Sequence, residues 1–463
     1  MHLDTQAEVS GGRTSGAPTS EMEFEEEEVS EPVSPIAQYF NSSVLSLTII
    51  GVLEIAVPFD DSQTMSLLKN VFLPINPRFS SIMVRDDDGE KKWKRVEVNL
   101  KDHLIYPNFP QGMSPEFYDE YLADYLTKIG MDQLPQTRPL WEIHIVKYPT
   151  SSAAGNVIFK LHHALGDGYS LIGALLSCMQ RADNPSLPLT FPSRQSSSKP
   201  KRDSVNIFRR VPRILSGMIN TVSDFGWSIL KSSVVEDDRT PIRSGDEGVQ
   251  FRPVNITTMT FSLDHLKQIK ANLGVTINDV ITGIIFLGTR LYMQATSHEL
   301  GDAESTALVV LNTRAVAGYK SISEMLKPDS EMPWGNNFGF LHIPIPKLSV
   351  AESSDPLSFI LKAHQLIKRK RNSFAVHLTS TLLEAMRKLR GPEATSQYVH
   401  RTLKNSSMAM SNLIGPVEEM ALANHYITGM YFAVVGNPQV YTYIAANMEY
   451  LLFFIFFNGQ YML

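Results

Sequence analysis

The residues best suited to chemistry stand in one run, His162-His163-Ala164-Leu165-Gly166-Asp167-Gly168. A neutral imidazole can take a proton from a hydroxyl near neutral pH. Asp167 lies close enough in sequence to His163 to orient the ring, or to brace the loop through an arginine. Gly166 and Gly168 allow a tight turn with unusual backbone angles. Two other readings fit the same residues. His162 and His163 can be a buried pair, with Asp167 capping a helix that begins near Ser170. They can also be metal ligands, although adjacent residues on a strand point to opposite faces and do not easily share one ion. Cys178, the single cysteine, follows in an apolar stretch and reads as core, not as a nucleophile.

Those side chains need elements to hold them. Asn156–His162 is a short apolar, β-like run that leads straight into the motif. Residues 170–179 carry Leu171, Ile172, Leu175, Leu176 and Met179 at helical spacing. A β-like run covers 44–57, and Trp141–Val146 alternates in polarity. In the second half, Asn255–Phe261 reads as a strand and Phe261–Leu273 as a helix. Thr276–Tyr292 is a second helix, with Asn278 and Asp279 in its first turn. Ala307–Asn312 and Phe338–Ile345 are strands, and Leu357–Arg371 is an amphipathic helix with a basic end. Mixed strands and helices in both halves predict an α/β chain and are compatible with two copies of one architecture.

The chain has 463 residues, which suits two domains and not one core. The composition leads us to expect an acidic, disordered N-terminus over 1–31, a first domain over 32–190, a linker with a basic amphipathic crossover over 191–250, and a second domain over 251–463. In the crossover, Arg209, Arg210, Arg213 and Lys231 alternate with apolar residues such as Phe208, Ile214, Trp227 and Leu230. Such a helix can lie in a membrane interface or pack on the protein as a bridge. The three arginines are expected to help it dock on anionic lipid. A net charge of -6 excludes a basic field for nucleic acid. One cysteine excludes an intrachain disulfide and fits a reducing compartment or the cytosolic face of a membrane. The start carries no secretory signal pattern, and 440–457 is interrupted by Asn447 and Glu449. A spanning helix is therefore not expected, while peripheral membrane contact stays open.

The run at 162–168 matches the HHxxxDG signature of the coenzyme A-dependent acyltransferase superfamily. Further stretches occur in order: Pro139-Leu140-Trp141-Glu142, Asn278-Asp279-Val280, Asn312-Thr313-Arg314, Gly335-Asn336-Asn337-Phe338-Gly339 and Ser411-Asn412-Leu413-Ile414-Gly415-Pro416. Together they resemble the plant bifunctional wax ester synthase/diacylglycerol acyltransferase family, from about residue 32 to about residue 440. The resemblance implies two similar chloramphenicol acetyltransferase-like α/β domains with a substrate tunnel between them. It implies acyl-CoA as co-substrate, with no permanently bound cofactor and no metal, and a fatty alcohol or diacylglycerol as acceptor. It implies His163 as general base, and Asp167 turned away to pair with an arginine, Arg314 or alternatively Arg138. His162 and Gly168 support the motif. Asn278 is either an oxyanion donor across the domain interface or a helix cap. The glycine clusters read as backbone devices. Peripheral association with the endoplasmic reticulum or plasma membrane, on the cytosolic face, is the expected location.

The chain departs from the family at its end. Members usually continue with a further strand and a final helix, whereas here Tyr450–Phe457 is apolar and aromatic and the chain stops at Leu463. The run is expected to be a substitute strand, a membrane-contacting tail or an altered reading of the gene, with Phe453, Phe454, Phe456 and Phe457 buried in protein or lipid. The alternatives to the lipid acyltransferase are another HHxxxDG acyltransferase and an impaired relative that still binds acyl-CoA or membrane.

Overall fold

A computed structural model describes residues 31–458, except 43–44, 88–90, 188, 190–220, 249–253, 315–324, 326, 328–329, 331–332, 350–354, 372–374, 415–417, 437–439 and 447–449. Arg209, Arg210, Arg213, Gly415 and Pro416 lie outside the described residues.

The chain first makes β1 (Glu31–Pro32), β2 (Thr48–Ile55), β3 (Ser81–Arg85), β4 (Lys91–Arg95) and β5 (Leu104–Ile105). It continues through β6 (Trp141–Val146), β7 (Gly155–His162) and β8 (Met179–Arg181). Then come β9 (Val254–Ser262), β10 (Thr306–Asn312), β11 (Phe338–Pro344) and β12 (Met408–Ile414). The last are β13 (Met420–Leu422), β14 (His425–Val435), β15 (Val440–Ala446) and β16 (Tyr450–Asn458).

These strands build two large mixed sheets. The first has the order β5-β6-β7-β2-β14-β13-β8, and the second β11-β10-β12-β15-β16-β9. A small sheet, β1-β4-β3, lies beside the first. Every residue of β6 and β7 is buried, which suits strands covered on both faces. Trp141 anchors the first core: it is fully buried and its indole N–H donates to Phe79 O at 2.9 Å. A second core gathers Phe286, Phe359, Ile343 and Val280 under the Ile277–Thr296 and Pro356–Arg371 helices.

The second half is not contiguous in space. The hairpin β13–β14 leaves it and completes the first sheet, with β14 running antiparallel to β2 from Ile427↔Ile55 to Val435↔Thr48. Residues 420–435 therefore part from the rest of the stretch 251–463. The cause is packing: Met430 to Val435 are all buried in the first core. The apolar run at the end is a strand, since β16 pairs with β15 on one side and β9 on the other. The burial expected for its phenylalanines lies outside the described side chains. Among the described residues, no single helix is long and apolar enough to cross a membrane.

Candidate active site

Strand β7 ends at His162, and the next residues turn sharply into the Gly168–Ser177 helix. Asp167 is the N-cap of that helix, and its carboxylate accepts from Ser170 N at 3.0 Å. Neither Gly166 nor Gly168 takes a positive φ, contrary to the unusual angles their type allows. Gly166 is needed for space, because a Cβ there would stand 3.0 Å from Ser170 Cβ and 3.5 Å from the Trp334 indole nitrogen. The left-handed angle belongs to Gly335, at φ 120°.

The two histidines serve different neighbours. His162 is fully buried. Its Nδ1 accepts from Ala164 N at 3.1 Å, so Nε2 carries the hydrogen and donates to Ser46 Oγ at 3.2 Å. Burial holds its imidazole down at about 3, so the ring is neutral. His163 is only half-buried. Its Nδ1 lies 3.0 Å from Asn336 Oδ1, which can only accept, while Asn336 Nδ2 donates back to His163 O at 3.1 Å. The pair fixes the Nδ1–H tautomer and leaves Nε2 with its lone pair. Burial pushes this imidazole below its ordinary value, against the opposing pull of Asp167 and Asn336. Phe40 and Phe338 flank the ring, with centroids at 4.7 and 6.0 Å.

Asp167 turns from His163 to Arg314. The guanidinium makes a bidentate pair, Nη1 to Oδ2 at 2.7 Å and Nη2 to Oδ1 at 3.1 Å. Asn337 N donates to the same Oδ2 at 2.9 Å. Arg314 also donates to Gly335 O at 2.8 Å, Pro333 O at 2.9 Å and Ser170 Oγ at 3.0 Å. Both partners are buried, and this many good hydrogen bonds are what a buried ion pair requires. Asp167 and Ser170 come from the first lobe. Arg314 follows β10 and Asn337 precedes β11, in the second. The network thus clamps the histidine loop to the converging ends of an antiparallel strand pair. Arg138, the other candidate, bonds instead to Glu142 at 2.6 Å and to Asp102 O.

Sequence reasoning left out four residues of this loop's support. Asn336 orients the base candidate. Trp334 Nε1 and Arg78 Nη1 both donate to Leu165 O, at 2.8 and 3.2 Å, and Ser170 Oγ donates to Gly335 O at 3.2 Å. The signal for Asn336 lies in the run 335–339, where two side-chain amides stand between the glycines. Asn278 stands half-buried in the first turn of the Ile277–Thr296 helix, whose capping box is made by Thr276 and Asp279. Among the described residues it makes no hydrogen bond to the His163 ring. Cys178 is buried, which pushes its thiol up to about 12 and leaves no thiolate for attack. Among the described residues no group of three His, Cys, Asp or Glu side chains is placed to hold a metal ion.

Beside Phe338 a mainly apolar cavity runs along β11. Ile36, Phe338, Phe340, Leu383 and Val399 supply its apolar lining, and Ser228, Ser232, His342, Thr379, Tyr398 and Thr402 its polar lining. Phe338, Phe340 and His342 share one face of the strand and line the cavity together, and Phe338 also packs against the His163 ring.

Residues 91–281 match the family model for the wax ester synthase/diacylglycerol acyltransferase catalytic domain, and 334–449 that for the WS/DGAT C-terminal domain. Wax ester synthase/diacylglycerol acyltransferase 4 of Arabidopsis thaliana is 30% identical, over 96% of this chain and 85% of its own length. The chain belongs to the wax ester synthase/diacylglycerol acyltransferase family. Its members include wax ester synthase/diacylglycerol acyltransferase 8 of the same plant, also 30% identical, over 92% of this chain and 91% of the relative. The wax ester synthase/diacylglycerol acyltransferase of Marinobacter aquaeolei shares the fold, with a TM-score of 0.56 at 14% identity, covering 92% of this chain and 93% of that one. The first condensation domain of the calcium-dependent antibiotic synthetase does so at a TM-score of 0.51 and 11% identity, covering 92% and 89%. The two lobes are therefore the chloramphenicol acetyltransferase-like pair that the sequence resemblance implied, and the protein is an acyltransferase.

Proposed function

We propose that this acyltransferase moves a fatty acyl group from acyl-CoA to the hydroxyl of a long-chain alcohol or a diacylglycerol, with His163 as general base. The observation that carries the reading is the Asn336 lock on His163, which leaves Nε2 as the free acceptor on a neutral ring. As the alcohol oxygen bonds to the thioester carbon, its proton passes to Nε2. The tetrahedral oxyanion then collapses, the C–S bond breaks, and the CoA thiolate takes the proton back from Nε2. No acyl-enzyme is required. Asn278 is the candidate donor to the oxyanion from the second lobe. Asp167 acts by bracing the loop through Arg314. Gly168, as first residue of the helix, and His162, neutral and buried, support that loop.

Ile36, Phe338, Phe340, Leu383 and Val399, grouped beside the His163 ring, are side chains that a hydrocarbon substrate would contact, which supports the reading. CoA as the acyl carrier is supported by a starter condensation domain of rhizomide synthetase, solved in complex with C8-CoA and Leu-SNAC, which shares the fold with a TM-score of 0.50. Substrates of this kind favour a peripheral location at a membrane, the endoplasmic reticulum or the plasma membrane, on its cytosolic face. The test is product formation by purified protein given palmitoyl-CoA with hexadecanol or with diacylglycerol. Wax ester or triacylglycerol supports the reading. CoA release by neither acceptor, with palmitoyl-CoA still bound, means that an impaired relative stands in its place.

A further inference from the structure

The helix over 221–233 is built inside out. Its buried residues are Thr221, Asp224, Ser228, Lys231 and Ser232, every one polar. Its large exposed residues are apolar: Val222 at 71%, Trp227 at 40% and Leu230 at 48% exposure, followed by Val234 at 77% just past its end. A surface helix in water shows the opposite arrangement. Lys231, one of the basic residues that alternate with apolar ones in the sequence, lies inward, bonded to Asp237.

The inward face is locked. Lys370 Nζ donates to Asp224 Oδ1 at 2.6 Å, Thr402 Oγ1 to Ser232 Oγ at 2.7 Å and Asn405 Nδ2 to Lys231 O at 2.7 Å, and Ser228 Oγ lies 3.2 Å from His342 Nδ1. Rolling the helix to hide its apolar side would strand a buried ion pair at each end, at Asp224 and at Lys231. The outward face must meet something apolar instead.

Three features say what. The outward residues (Val222, Ser223, Trp227, Leu230, Ser233 and Val234) carry no charge, and a tryptophan with aliphatic neighbours is the composition of a side chain set at the membrane–water boundary. Exposed Arg369 stands at the rim, with Nη2 3.9 Å from Asp224, as a cation that complements anionic headgroups. Finally, Ser228 and Ser232 line the cavity that reaches Phe338 beside His163. The helix thus separates that cavity from the outside.

We propose that the helix over 221–233 is the face on which the protein lies against a lipid bilayer, with Trp227, Leu230 and Val234 at the headgroup–acyl boundary. Its purpose, access of a lipid acceptor to the cavity behind it, rests on the acyl-transfer reading; the docking itself does not. The test is flotation of the full chain with phosphatidylcholine vesicles containing phosphatidylserine. Wild type should float, and a Trp227→Ser/Leu230→Ser/Val234→Ser variant should lose at least about tenfold in bound fraction. All three positions are exposed, so its thermal melt should match wild type. Arg369→Glu should lower binding only to the anionic vesicles, and less so at high salt. Equal flotation of wild type and the triple variant overturns the proposal. So does a wild type that ignores vesicles but runs as a dimer which the triple variant makes a monomer, or one captured by a protein partner through this face. Acyl transfer to a short, water-soluble alcohol without vesicles, measured in parallel, should be unchanged in the triple variant. If neither protein transfers acyl groups, the acyl-transfer reading fails while the flotation result still stands.

Discussion

Asn336 and His163 hold each other through two hydrogen bonds, ring to side-chain oxygen and side-chain nitrogen to backbone oxygen, across the junction of the two lobes. One residue of the second lobe therefore sets the tautomer of the base candidate on the first. Asn336→Ala should keep the fold and lower the acyl transfer rate by about tenfold, the worth of one orienting hydrogen bond. Substrate affinity should change little. A rate equal to wild type would detach Asn336 from the chemistry.

Burial of the same imidazole sets the acid limit of activity. Burial lowers the His163 pKa, so its free base persists as pH falls through the ordinary histidine value of about 6.5. The acid limb of the kcat/KM profile should therefore have its midpoint below that value. Asn336→Asp puts a carboxylate on Nδ1, favours the imidazolium and should move the acid limb upward. An unmoved limb in the variant would mean that another group controls the profile.

Asp167 and Arg314 are buried and bonded to both lobes, so breaking the pair should be read in stability. Asp167→Asn keeps the side-chain shape and strands the guanidinium, at a cost on the order of 3 to 5 kcal/mol in a denaturant melt. Arg314→Met combined with Asp167→Asn should cost less than the sum of the single changes, because neither partner is then left charged and alone. Full stability of Asp167→Asn with a rate defect would place Asp167 on the imidazole directly.

His162 and His342 are both neutral in the folded chain, each held down by burial at about 3. Below about 6.5 the unfolded chain takes up protons that the folded chain refuses. Their contribution to stability is thus complete above that pH and is lost as pH falls toward the folded values. The melting temperature should fall steadily from pH 7 to pH 5, and His342→Gln should make the fall shallower. A variant slope equal to wild type would show that His342 is not among the groups responsible.

The cavity lined by Phe338, Phe340, Leu383 and Val399 should measure the chain it takes. Val399→Phe narrows it and should shift preference toward shorter chains in competition assays with mixed alcohols and mixed acyl-CoAs. An unchanged chain-length profile would place the hydrocarbon elsewhere.

Much of this was legible in the sequence, because hydrophobic period reports element type well. The alternation over Trp141–Val146 has the boundaries of the strand, and the helical spacing over Thr276–Tyr292 matches the Ile277–Thr296 helix within a few residues. Arg314 was legible through resemblance. What escaped depends on which partner an element meets. A strand pattern at 425–435 does not say which sheet the strand will join, and β14 joined the first. Amphipathic spacing around Lys231 and Trp227 says which residues share a face, but not which face looks inward. Asn336 carried no periodic signal at all, since its role comes from a contact 173 residues away in sequence.

The central claim is that His163 takes the hydroxyl proton. It is tested most directly by the single-turnover acyl transfer rate of His163→Ala beside wild type, with palmitoyl-CoA binding and the thermal melt as controls. The account expects binding and fold to survive and the rate to drop roughly 100- to 10,000-fold, the usual worth of a positioned general base. A His163→Ala protein that binds palmitoyl-CoA and turns it over at near wild-type rate would contradict it.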